Sequence, residues 1–584
     1  MSVTPTADAA PLGYPETASK GLKGGALGLL SSVVVGTAST APAYSLAASL
    51  GFVVAGGGAL LAGVKAPAII LLAFVPMFLI ALAYQELNKA EPDCGTTFTW
   101  ASRAFGPLTG WIGGWGIIAA DVIVMANLAQ IAGIYSFTFV GDLGWDAVGE
   151  LADSTLWTTV AGLLWIAIMT WICYRGIEVS ARIQYVLLAI EVLVLIIFSV
   201  VALAKVYSGN GEDGSILPAW SWFWPGGLSI SDVIAPALLT AVFIYWGWDT
   251  AVSVNEESDD PSRTPGRAAI LSTVLLLVTY ALVSTSAVAF AGVGTEGIGL
   301  ANPANADDVF AAIGPALFGD TALGHLGLLL LSASILTSAS ASTQTTILPT
   351  ARTTLSMAVY KAIPESFAKI HPKYLTPGVS TIAMGIASIL FYAVFTLISP
   401  SLLTALVGSV GLMIAFYYGL TGFACSWFYR RTLHHTRRDF FMQGVLPSLG
   451  GLILLAAFVY ALKSYAATDW LQDEDGNDVT ILGFGAVAVV GIAAILIGVV
   501  LMIIWRLRAP AFFRGETLPK RGAHDLVLVG PQTVGEPVFR LPDSGLPGIV
   551  VAQDLSNLPD GATAVNVATG EEADVDDAED GRTT

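Results

Sequence analysis

The chain has 584 residues, of which 55% are hydrophobic and only 12% charged, with a mean hydropathy of +0.72. A soluble globular chain carries about 25% charged residues, so the composition excludes that class and points to an integral membrane protein. The net charge of −18 belongs to acidic loops and an acidic tail, which calls for neither a basic partner nor a nucleic acid.

Residues 1–20 are rich in Pro, Ala and Thr and are expected to form a disordered tail. No cleavable leader is expected, because the first apolar segment is too long for a signal h-region. Twelve windows long enough to span a bilayer follow, over about 26–50, 66–86, 108–139, 156–174, 184–207, 233–254, 268–291, 324–350, 378–398, 402–429, 441–462 and 480–505. Residues 21–508 therefore read as one transmembrane domain. The acidic tail over 509–584 is expected to be largely disordered, with weak strand-like alternation between Asp525 and Val551.

With both termini placed inside, 23 of the 26 Lys and Arg fall on the inner face. Lys65, Lys205 and Lys463 fall outside, and no base is left in a hydrophobic core. This bias predicts two cytoplasmic termini. Cys94, Cys173 and Cys425 have no disulfide or zinc spacing, and the five His lie mostly in loops, so no metal centre is expected.

Three carboxylates remain at membrane depth: Asp121, Glu191 and Asp249. Placing an acid there costs roughly 2.5–3.5 kcal/mol on insertion scales, which makes each a functional candidate by default. Asp249 closes the run Phe243-Ile244-Tyr245-Trp246-Gly247-Trp248-Asp249 in the sixth window, where the glycine predicts unwinding. The first window holds a comparable interruption, Gly36-Thr37-Ala38-Ser39-Thr40-Ala41-Pro42, whose proline removes a backbone donor. Breaks in windows one and six, five helices apart, predict an all-α membrane fold of two inverted five-helix repeats around a midplane site. Windows eleven and twelve lie outside that repeat.

Four passages resemble the amino acid–polyamine–organocation permease family over about residues 20–510. They are AYQELNKAEPDCGTTFTWASRAFGP at 83–107, RGIEVSARIQYVLLAIE at 175–191, the aromatic-Gly-acid run joined to NEESDDPSRTPGR at 243–267, and ARTTLSMAVYKAIPESFAKIHPKYLTP at 351–377. The resemblance implies secondary transport of amino acids or related amines by alternating access. It implies that half-helix ends around Gly36, Thr37, Ala38, Ser39 and Thr40 bind a substrate carboxylate. It also implies that the unwound stretch Ile244, Trp246 and Gly247 takes the ammonium group, and that Phe243 acts as a lid. Ala38 and Ser39 depart from the Gly-x-Gly form of many relatives.

The residues carry plainer readings as well. Small residues let helices pack closely, and Phe243, Trp246 and Trp248 fit lipid or core contacts as well as a pocket wall or gate. Asp249 suits substrate, gate or proton path, and equally the cap of a returning half-helix. Glu191 stands where many proton-coupled relatives carry a Lys. It suits a proton, Na⁺ or a substrate amine, or simply a hydrogen bond between helices. Asp121 is a candidate for coupling and for favouring cationic substrates. Hydroxyls of the eighth window, Ser338 and Ser342 among them, suit Na⁺ or a polar path, although Ser and Thr also bond to their own helix.

The reading is thus a permease and not an enzyme: a proton-coupled importer or exchanger of the bacterial plasma membrane, monomeric or dimeric in lipid, with no cofactor beyond a proton or Na⁺. Alternatives are a polyamine or GABA-type carrier, a Na⁺-coupled carrier and a permease-derived sensor. A channel would call for a pore ring, and a pump for a phosphate-binding loop that is absent from the sequence.

Overall fold

The computed structural model describes residues 20–56, 59–398, 400–470 and 477–522, together with four short strands of the C-terminal tail. Contacts divide the chain into Lys20–Lys520 and a second unit of residues 1–19 and 521–584. The described part of the second unit is an antiparallel sheet in the order Ile549–Val550, Val538–Arg540, Thr563–Val565, Glu572–Asp574. Residues 1–19, and most of the tail expected to be disordered, lie outside the described residues.

The first unit is a helical bundle. Its first half comprises α1 (Leu29–Ser39), α2 (Pro42–Val54), α3 (Ala66–Ala90), α4 (Thr97–Phe105), α5 (Pro107–Asp142), α6 (Asp146–Gly149), α7 (Thr155–Arg175) and α8 (Ile177–Tyr207). Next come α9 (Ala235–Phe243), α10 (Thr250–Ser253), α11 (Thr264–Ala291), α12 (Val309–Phe318), α13 (Ala322–Val359), α14 (Gly378–Ile398) and α15 (Pro400–Phe428). The last four are α16 (Arg437–Asp439), α17 (Leu446–Tyr465), α18 (Ala486–Arg508) and α19 (Pro510–Phe513).

Among the described residues, eleven helical stretches are long and apolar enough to cross a membrane, the joined α1–α2 stretch counted as one. Twelve are expected from hydropathy. The sixth window drops out because Ile230–Phe243 is too short, residues 244–249 form turns, and α10 has only four residues. The all-α membrane class is what the chain forms.

Helices in lipid gain little from apolar burial against one another and pack instead through small residues. Where α5 crosses α7, a Cβ on Gly133 would lie 2.1 Å from the Thr158 carbonyl oxygen, and one on Gly162 would lie 2.5 Å from that of Ala129. The glycine pair brings the two backbones into direct contact.

One end of the bundle holds buried charge. Lys20, assigned by composition to the disordered tail, is buried and ion-paired with Asp93 at 2.8 Å and with Glu256. Burial alone would raise the Asp93 carboxyl, but Lys20, the Gly95 N–H and the Ser356 hydroxyl hold it well below the usual carboxylate range. The α13 helix runs past its expected end and carries Arg352 into the interior, a correction to the expectation that no base lies there. It is fully buried, and its Nε and Nη2 donate to the two oxygens of Glu257 at 2.9 Å each. A bidentate carboxylate partner of this kind makes a buried guanidinium tolerable.

Removing one member of a buried pair costs about 3–5 kcal/mol, whereas removing both is often nearly neutral. Arg352→Met should therefore lower the melting temperature of the purified protein markedly, and Glu257→Gln/Arg352→Met should recover most of the loss. Equal losses in the two variants would show that the pair is not the cause.

Candidate functional site

The first broken segment changes direction at Thr40 and Ala41. Ala41 adopts φ 46°, a left-handed conformation that a non-glycine residue holds only under constraint, and Pro42 starts α2. In the second broken segment, α9 stops at Phe243 and Gly247 adopts φ 117°. The two breaks touch: a Cβ on Gly247 would lie 2.7 Å from the Ser39 carbonyl oxygen, so only glycine fits. Ser39 Oγ and Thr250 Oγ1 are hydrogen-bonded at 2.8 Å, and Ser342 Oγ of α13 donates to the Ser39 carbonyl at 2.9 Å. Gly36 packs against the Trp248 carbonyl and Ala251.

The backbone donors of the first break are fully accounted for. The N–H of Thr40 bonds to the Thr37 carbonyl, that of Ala41 to Ala38, and that of Ser45 to Ala41. Pro42 has none. The Ala43 N–H donates to Glu191 Oε1 at 2.7 Å, and the Tyr44 N–H to Ser338 Oγ at 3.2 Å. Ser338 Oγ in turn donates to Glu191 Oε1 at 2.6 Å. Glu191 thus joins α8, α13 and the N-terminus of α2. It is fully buried, and its Oε2 has no hydrogen-bond partner among the described residues.

In the second break, Tyr280 OH donates to the Ile244 carbonyl at 2.6 Å. The Asp249 side chain does not cap α10. It accepts from Tyr418 OH at 2.8 Å and Tyr417 OH at 3.2 Å, and Tyr417 OH accepts from Trp246 Nε1 at 2.5 Å. Trp248 is enclosed by Tyr84 and Tyr418, with ring centroids 5.1 Å away in each case. Asp121 accepts from Thr350 Oγ1 at 2.5 Å. Phe243 and Trp246, each 6% exposed, are the most accessible of these side chains.

Seven acidic side chains are buried among the described residues. Four have basic partners: Glu86 with Lys89 and Arg438, Glu91 with Arg103, Asp93 with Lys20, and Glu257 with Arg352. Asp121, Glu191 and Asp249 have only hydroxyl or N–H donors among their described hydrogen bonds. The bundle therefore separates paired carboxylates at its polar end from base-free ones around the breaks. Asp93, Cys94 and Glu256 offer ligand atoms within 4.8 Å of one another, but the Lys20 ammonium already bridges the two carboxylates.

The sequence reading missed Tyr84, Tyr280, Thr350, Tyr417 and Tyr418. The adjacent Tyr417 and Tyr418 carry a readable signal, since two phenols inside an apolar span need acceptors there.

Residues 27–471, about three quarters of the chain, match the family described as amino acid permease. An uncharacterized transporter of Mycobacterium tuberculosis is 25% identical over 369 residues, covering 62% of this chain and 71% of that protein. The branched-chain amino acid permease BcaP of Bacillus subtilis is 25% identical over 349 residues, covering 58% and 69%. The low-affinity putrescine importer PlaP of Escherichia coli is 23% identical over 394 residues, covering 66% and 79%. The chain belongs to the amino acid permease family, within the amino acid–polyamine–organocation superfamily: it is a multi-pass membrane transporter and not an enzyme.

Proposed function

We propose that this transporter moves amino acids or related amines across the bacterial plasma membrane by alternating access, coupled to protons, with both termini cytoplasmic. The observation that carries this reading is the meeting of the two interrupted segments at Ser39 and Gly247, beside three carboxylates with no basic partner among the described residues. Interrupted helices at membrane depth are tolerated where protein buries them or where they line a cavity, and in transporters paired breaks of this kind frame the substrate site. Relatives named for branched-chain amino acids and for putrescine support the substrate class.

Glu191 is the proposed coupling group. Its carboxylate lies against the N-terminal dipole of α2, where negative charge is favoured. Taking up a proton weakens that attraction at the joint of α2, α8 and α13 without removing the hydrogen bonds to Oε1. Charge state and helix position are linked in this way. Ser338 and Ser342 are hydrogen-bonded to Glu191 and to the Ser39 carbonyl, which favours a polar joint over a Na⁺ cage in this conformation.

Glu191→Gln retains an oxygen for Ala43 and Ser338 but cannot titrate. Its expression and melting temperature should stay near wild type, while uptake driven by a proton gradient in proteoliposomes falls at least tenfold. Accumulation equally strong under a Na⁺ gradient alone, or unchanged pH dependence in the variant, would remove the proton reading. Asp121→Asn should weaken binding of diamines and cationic amino acids several-fold more than that of neutral substrates, read by ligand-induced thermal shifts. Equal loss for both classes would instead mark Asp121 as structural.

A further inference from the structure

We infer that Glu191 occupies the place in which the break of the first segment would receive a substrate carboxylate, and that the transported molecule is an amine that lacks one. The inference rests on the transporter reading above and narrows its substrate class. It follows from the donor count of the break. A carboxylate entering at the N-terminus of a half-helix needs free N–H groups. From Thr40 to Ser45 no such group remains, because three are bonded to carbonyls and Pro42 has none. The last two are held by Glu191 Oε1 and Ser338 Oγ.

The molecule thus supplies its own carboxylate to this half-helix. A second carboxylate in the same place would find the Ala43 and Tyr44 N–H groups already taken, and beside an ionised Glu191 it would also meet a like charge with little screening. Displacing Glu191 instead would leave it without its N–H and hydroxyl donors, while its Oε2 already has no partner among the described residues.

The complementary features favour a cation. The carbonyls of Tyr245 and Trp246 accept no hydrogen bond from the described residues. Asp249 and Asp121 lie on the same bundle interior with no base bonded to either. Phe243 and Trp246 add aromatic faces, which attract ammonium groups.

The test uses matched pairs that differ by one carboxylate: ornithine and putrescine, lysine and cadaverine, leucine and 3-methylbutylamine. Binding of each to the purified full-length protein is measured by thermal shift and calorimetry. The amine of at least one pair should bind ten times more tightly than its amino acid, or better. Glu191→Ala, which frees the Ala43 N–H, should narrow that ratio at least tenfold by admitting the amino acid. Wild-type protein that binds the amino acid of every responding pair as tightly as its amine would overturn this inference and leave the proposed function standing. Failure of every compound to bind would overturn both. The wild-type comparison decides the matter even where the alanine variant does not fold.

Discussion

The carboxylate of Glu191 is the contact on which the central architecture depends. A helix broken in mid-membrane leaves N–H groups that lipid cannot satisfy, each costing several kcal/mol if left alone. The break before α2 is tolerated because one donor is absent in Pro42 and the next is taken by Glu191 Oε1, reaching across from α8. Ser338 draws α13 into the same point. Three elements far apart in sequence are thereby fixed at one oxygen, directly after the left-handed Ala41. A site built at a helix break needs such a joint, since the backbone there has lost its own ladder.

The distribution of charge separates two kinds of acid. At the polar end, Lys20, Arg103, Arg352 and Arg438 neutralise Asp93, Glu91, Glu257 and Glu86. Around the breaks, hydroxyls and amide N–H groups are the bonded partners of the acids, and these carry no full charge. A carboxylate in that setting gains much from a proton or from a visiting cation, and a paired one gains little. The same residue type is therefore structural at one end of the bundle and available for chemistry in the middle.

Much of this was legible in the sequence. Hydropathy located several spans to within a few residues, such as Thr155–Arg175 against 156–174 and Gly378–Ile398 against 378–398, but it started α8 too late, ended α13 too early and read the broken sixth window as one span. Pro42 and Gly247 marked the two breaks because their effects are local: a missing donor and a positive φ. What was hidden depends on contacts between distant residues. Glu191 and Ala43 are 148 positions apart, and Asp249 and Tyr418 are 169 apart. No local pattern states that two tyrosines will take both oxygens of Asp249 and leave none to cap α10. Arg352 misled for a related reason, since hydropathy ends a span at the first charge. The helix continued because Glu257 was waiting for that charge.

The paired end also has a physical property that isolated surface pairs lack. Lys20 ties the segment before α1 to the loops that follow α3 and α10, and Arg352 ties α13 to the residue next to Glu256. While these groups are dry, separating any one pair leaves a buried charge and costs about 3–5 kcal/mol. Once water enters, the same pairs are worth only about 0–1 kcal/mol each. Closing the end strengthens every bond that closes it, and wetting weakens all of them together. The pairs of such a cluster therefore hold or fail together rather than one at a time.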